Sequence, residues 1–225
     1  MARETKVATG TGVKRDGRRE RTEVSKQLII DVAIDLIAKE GLSHVTLQRV
    51  GTQAKVSSGL VVFHFGSKEN LLQAVLQYLD QQFDQLWAEH VRAPGLTLAQ
   101  RIAGGITCAV SFAEKHPKWV SVWISFCADS KTLALYRKTA LPHDKAYMAE
   151  CQDRFVQLIK EGGYSGIDAA ELSERINSMV FGSWLWCHLN PRERRAHLLR
   201  LNAMALLEQL FPRHFPLEKK TRGRA

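Results

Sequence analysis

The chain has 225 residues, 45% of them hydrophobic, and a formal net charge of +9. That length holds one large domain, or a small one joined to a larger one, with enough residues for a real core. A membrane-spanning helix is excluded, because no run approaches the ~20 apolar residues it needs; the longest uncharged run late in the chain, 176–191, is interrupted by Asn177, Ser178, Ser183 and His188.

Residues 1–26 carry eight Lys or Arg against four Asp or Glu, and residues 213–225 five against one, so the two ends hold +8 of the charge and everything between them +1. The first stretch has no apolar segment after its charges, which predicts no secretory signal and a cytoplasmic protein. Positive charge on flexible arms (1–24 and 213–225) suits a polyanion, the alternative being a solubilising tail. From Lys26 to Lys39 the residues Leu28, Ile29, Val32, Ala33, Leu36 and Ile37 recur at helical steps, and Gly41 stands where a helix end needs a left-handed residue. A short helix is expected from Thr46 to about Ala54, another from Ser57, and a long one from Ser67 to about His90, each opened by a hydroxyl N-cap.

The stretch Leu60-Val61-Val62-Phe63-His64-Phe65 is β-branched and aromatic enough for a strand. A lone strand among helices would leave its backbone unpaired, and that cost exceeds a β propensity that spans only ~1 kcal/mol. As a helix it turns Val61 and Phe65 inward with Val50 and Ala54, and leaves Ser58, Leu60, Val62, Phe63 and His64 outside. Two short helices joined by a tight turn, the second presenting its N-terminal residues, have the geometry that enters the DNA major groove. Thr46 and Ser57 are then candidates for phosphate at helix N-termini, Gly59 for close backbone approach, and Ser58 for base edges. Gln48 and Arg49 have reach for base or phosphate, and Lys68 and His64 are candidates for the flanking phosphates.

Downstream, helices are expected near 97–115, 118–138 and 143–161. Asp168 with Glu171 reads as a capping box for a helix reaching Leu189, and Asn190-Pro191 with Glu193 as the start of a last helix ending near Phe211-Pro212. With no alternating strand pattern elsewhere, the fold expected is all-α: a helix-turn-helix domain at 25–72 (motif 46–65) and a larger helical domain at 73–212. Trp119, Trp123 and Phe126 share one helix face, and Asn177, Phe181, Trp184 and His188 another, while Trp186 lies about 200° around from Trp184. Such stripes read first as core or dimer contact. The functional reading is an apolar cavity in which Asn177 and His188, with Asp129 or Ser130 and Tyr136 nearby, orient a small molecule, and whose rings suit a quaternary ammonium.

Here the sequence resembles known families. "TLQRVGTQAKVSSGLVVFHFGSKENLL" (46–72), with its opening Thr, Val-Ser before the second short helix, Gly two residues later and the aromatic-His-Phe-x-x-Lys-x-x-Leu-Leu ending, is similar to the DNA-binding signature of TetR-type repressors. Lys55, Gly51 and Val62 depart from it, standing where glycine, alanine and tyrosine are usual; the first is expected to strain the turn, and the last removes a hydroxyl that could reach phosphate. "WVSVW" (119–123), "LALYR" (133–137) and "SMVFGSWLWCHL" (178–189) resemble the choline-responsive BetI-type repressors. The resemblance implies double-stranded operator DNA as partner, a homodimer through the last two helices, and a small-molecule effector, with choline or a related quaternary amine one candidate.

The competing classes have less to stand on. The chain lacks H-E-x-x-H, G-x-S-x-G and a phosphate-cradling glycine loop, so no enzyme is expected, and Glu193/His197 and His143-Asp144 read as solvated pairs. The four cysteines are far apart with no C-x-x-C, so buried thiols and no metal or cofactor are expected. The second alternative is a sequence-indifferent DNA-coating or partner-binding protein driven by its basic ends.

Overall fold

The computed structural model describes residues 12–193 and 195–216; residues 1–11 and 217–225, which include much of both expected basic arms, lie outside the described residues. Helix α1 runs Gly12–Glu40, a 3₁₀ turn covers Leu42–His44, and α2 (Leu47–Ala54), α3 (Ser58–Phe65) and α4 (Lys68–Trp87) complete the amino-terminal unit. A π-helical turn at Ala88–Arg92 leads to α5 (Leu98–Lys115), α6 (Pro117–Ala128), α7 (Leu133–Thr139), α8 (Leu141–Gly162), α9 (Ala169–Leu189) and α10 (Ala196–Leu210). No described residue is in a strand, and no helix of the described residues is long and apolar enough to cross a membrane.

The three expected hydroxyl caps are in place. Thr46, Ser57 and Ser67 each accept the N–H three residues on, from Arg49, Leu60 and Asn70, at 3.1 Å. Val61 and Phe65 are buried with Val50 and Ala54, so the hydrophobic hexapeptide is a helix with two residues inside and the rest facing away.

Four boundaries differ from expectation. Residues 12–24, expected within a flexible arm, continue α1. The helix expected over 118–138 breaks at Asp129, whose Oδ1 accepts the N–H groups of Lys131 and Thr132 and so offers the backbone an alternative to helix. Asn190 ends α9 instead of opening the next helix, and α10 begins at Ala196 without a side-chain cap. The capping box of the carboxy-terminal domain belongs to Thr97 and Gln100, at the start of α5, while Asp168 caps α9 with its own carboxylate.

Two packing features set the shape. Ile29, Ala33, Leu36 and Ile37 of α1 are buried in one cluster with Leu71, Val75 and Leu79 of α4, Val122 and Phe126 of α6, and Leu135 and Tyr136 of α7. The reading head therefore has no core of its own and shares one with the larger domain. At the other end α5 crosses the Ala88–Arg92 turn so closely that a Cβ on Gly104 would lie 2.0 Å from the His90 carbonyl oxygen, a distance no side chain tolerates.

The turn between α2 and α3 carries the one positive φ among described non-glycine residues, at Lys55 (φ 56°), where its N–H satisfies the Gly51 and Thr52 carbonyls. The left-handed conformation costs an L-residue roughly 1–2 kcal/mol. Lys55→Gly is therefore expected to raise the free energy of unfolding by about 1 kcal/mol, read in chemical denaturation as a higher urea midpoint with an unchanged slope.

Candidate nucleic-acid interface and effector cavity

The outer face of the head is built by α3. Taking 100° per residue, Gly59 and Phe63 lie on the ridge farthest from the buried pair Val61 and Phe65, with Ser58 and Val62 on one flank and Leu60 and His64 on the other. Phe63 is 77% exposed and Val62 48%, Ser58 and Gly59 are exposed, and Leu60 is half-buried. Thr46, Gln48 and Ser57 are exposed beside them; the Thr46 and Ser57 oxygens accept the capping N–H groups, and their O–H protons remain as donors.

Three residues assigned to DNA from the sequence each have an intramolecular partner. Arg49 Nη2 pairs with Glu40 at 2.5 Å. Lys68 Nζ donates to the Leu42 carbonyl at 2.9 Å, tying the start of α4 to the end of α1. His64 Nε2 lies 2.8 Å from Ser25 Oγ. Because that hydroxyl donates to the Thr22 carbonyl, the His64 nitrogen is the donor, and the ring is turned towards α1. Sequence spacing carries no sign of these partners, which come from α1 and the turn after it.

The second site is a cavity of about 130 Å³, open on one side, lined by residues of α4, α5, α6, α8 and α9. Of the residues singled out from the sequence, Trp123, Asn177, Phe181 and Trp184 line it. The others do not. Phe126, about 60° around α6 from Trp123, is fully buried in the cluster with α1. Trp119 stacks on His116 at 3.7 Å. His188 Nδ1 meets Ser121 Oγ at 3.0 Å, bracing α9 against α6. Asp129 and Ser130 form the turn before α7. Tyr136 acts at one remove: its hydroxyl donates to Asp144, and Asp144 lines the cavity.

Two carboxylates, Asp80 and Asp144, were missed as cavity residues, as were the aromatic walls Phe83, Trp87, Phe112 and Tyr147. A signal for Asp80 did exist: it interrupts the apolar stripe Leu72, Leu76, Leu79, Phe83 of α4. His143 and Asp144 are not a mutual solvated pair, because His143 Nδ1 meets Asp80 at 3.0 Å while Asp144 is turned inwards. Burial pushes the Asp80 carboxyl up to about 6; His143 opposes this, and the charges of Asp144 and Asp84 add to it. Burial likewise raises Asp144, against the Tyr136 hydrogen bond.

The basic residues on the wall use most of their N–H groups within the protein, although the buried Nε of Arg154 has no hydrogen-bond partner among the described residues. Arg101 donates to the Leu96 and Val91 carbonyls, and Arg154 to the Glu150 carbonyl and carboxylate. Burial would raise Glu150, but hydrogen bonds from Arg92, Arg154 and Trp87 outweigh it and hold the carboxylate at about 2. What the cavity offers a guest is therefore negative charge at the Asp80–Asp144 side and ring faces around it. Cys151, also on the wall, has its thiol pushed to about 12 by burial and is a poor nucleophile.

Because the folded Asp80 binds its proton more tightly than the unfolded chain does, its contribution to stability is present below about pH 4 and lost as pH rises through about 6. Asp80→Asn is expected to match the parent in thermal stability near pH 4 and to gain on it progressively to pH 7, as read by melting curves across that range.

Residues 29–75 match the family described as bacterial regulatory proteins, tetR family, and residues 98–212 match the BetI-type transcriptional repressor, C-terminal. The HTH-type transcriptional regulator BetI 2 of Chromohalobacter salexigens is 23% identical over 188 residues, covering 83% of this chain and 88% of that protein. BetI of Paraburkholderia phymatum is 28% identical over 111 residues, covering 48% of this chain and 55% of the relative. Among solved structures, a transcriptional regulator from Pseudomonas aeruginosa PAO1 superposes with a TM-score of 0.71 at 19% identity, over 82% of this chain and 89% of that one. One from Saccharomonospora viridis, in complex with choline, does so at 0.67 and 17%, over 83% and 96%. None of these comparisons favours the charge-driven alternative. The helix-turn-helix head, the all-helical fold and the family matches over both halves place this chain among the TetR-family transcriptional repressors with a BetI-type carboxy-terminal domain.

Proposed function

We propose that this repressor acts in the cytoplasm as a homodimer through α9 and α10, and that a small organic cation in the cavity lowers its affinity for operator DNA. The observation that carries the ligand class is the pair of half-buried carboxylates, Asp80 and Asp144, in an aromatic-walled cavity whose arginines donate mainly to groups of the protein itself. Rings and a desolvated carboxylate are what a quaternary or protonated amine needs. The volume of about 130 Å³ is well below the ~300–1,000 Å³ of pockets that take drug-sized ligands, so the guest is compact. Choline, the ligand of the Saccharomonospora viridis regulator, is the first compound to test.

The dimer reading rests on the outer faces of the last two helices. Phe181, Leu185, Trp186 and Leu189 of α9 and Leu198 and Leu201 of α10 are large apolar residues left exposed, more than a soluble surface normally carries in one place. A second copy laid against them covers both sets at once. A charge in that stripe, Leu201→Glu, is expected to yield a monomer by sedimentation, with operator affinity reduced more than tenfold because two half-sites are no longer engaged together.

Coupling runs through α6 as well as α4. Val122 and Phe126 pack against α1 of the head while Trp123, on the same helix, lines the cavity. A guest that displaces Trp123 shifts the wall on which the head rests, and with it the spacing of the two recognition helices, which must match half-sites about 34–36 Å or a multiple apart. Couplings of this kind amount to ~1–3 kcal/mol.

Titration calorimetry of the purified protein with choline is expected to show binding that tightens between pH 5 and pH 7, since the cation competes with the proton held by Asp80, and that is lost in Asp80→Asn. Absence of heat together with unchanged DNA affinity up to millimolar choline would remove choline as effector. Binding without any change between pH 5 and 7 would remove Asp80 as its counter-ion.

A further inference from the structure

The recognition helix is unusual in what it lacks. Of its exposed side chains, Ser58 alone has a hydrogen-bonding group; the rest of the outward surface is the Gly59 backbone, Val62 and Phe63. His64 is committed to Ser25. No Arg, Lys, Asn or Gln stands on α3, so the bidentate pairings that read guanine and adenine in the major groove are not available to this helix. What remains in quantity is apolar surface on the part of the head that the helix-turn-helix geometry presents to the groove. The major groove has one apolar feature, the C5-methyl of thymine.

We propose that α3 reads its operator chiefly through thymine methyl groups packed against Phe63 and Val62, with Ser58 supplying the polar discrimination. This deepens the reading of the head as a DNA-binding surface and rests on it. Gly59, one turn before Phe63 on the same ridge, lets the helix backbone sit deep, so that the ring one turn behind meets a methyl instead of being held off the base edges. Phe63 has no hydroxyl with which to hold phosphate, which leaves burial of its exposed face against DNA as its contribution to binding.

The test uses the full-length protein. Fragments are selected from random duplex DNA, and in the recovered site each thymine is replaced singly by deoxyuridine, which removes only the methyl group. One or two positions per half-site are expected to weaken binding about fourfold, the equilibrium equivalent of ~0.8 kcal/mol for one methyl returned to water. Phe63→Ala or Val62→Ala, both at exposed positions that leave the fold intact, should bind the thymine and deoxyuridine versions of the corresponding position alike, while Gln48→Ala keeps the difference. A preferred site in which no deoxyuridine substitution matters, or penalties that persist unchanged in both variants, would overturn the proposal and leave sequence-specific binding standing. Failure to recover any preferred sequence would overturn the reading of the head as well.

Discussion

The apolar face of α1 is the constraint on which both halves of the molecule meet. Ile29, Ala33, Leu36 and Ile37 are all buried, and the small helices α2 and α3 contribute little more than Val50, Val61 and Phe65 to cover them. A three-helix head of this size buries too little apolar surface to stand alone comfortably. The deficit is made up by α4, α6 and α7, so the head is joined to the larger domain by packed side chains and not by a linker. The polar contacts across the junction, such as Lys118 with Asp35 at 2.6 Å, are exposed and weak by comparison.

That shared core also reaches the cavity wall through α6: Val122 and Phe126 are buried in it, and Trp123, which lines the cavity, packs against both this core and that of the larger domain. The cavity itself departs from the rule that buried charge is paired. Asp80 has one partner, His143, and Asp144 has a tyrosine hydroxyl, whereas Glu150 nearby is held by two arginines and a tryptophan. The contrast separates a carboxylate that braces the structure from two that are kept short of partners at the surface of a hole.

In the head the same accounting of partners works in the opposite sense. Lys68, Arg49 and His64 are the side chains most readily assigned to DNA by chemistry alone, and each has found an acceptor or partner on α1 or the turn after it. On α3 itself, with His64 paired to Ser25, the exposed side chains other than Ser58 are the hydrocarbon of Val62 and Phe63. Groove recognition by such a surface is a matter of shape and methyl groups more than of hydrogen bonds.

The sequence by itself determined the all-helical class, the hydroxyl caps at Thr46, Ser57 and Ser67, and the inward turn of Val61 and Phe65, because caps and periodicity are local and their energies are set within one or two turns. It also marked Trp123, Asn177, Phe181 and Trp184, though as members of stripes that included Phe126 and His188 on equal terms. Only the tertiary structure separated them, because neighbours on one helix face look alike in periodicity and differ only in whether a packed helix or a cavity lies opposite. Asp80 and Asp144, 64 positions apart in the chain, come together through the packing of α8 against its neighbours, and no spacing rule connects them. The break at Asp129 is by contrast local: its side chain accepts the N–H groups of Lys131 and Thr132 and competes with the helix there.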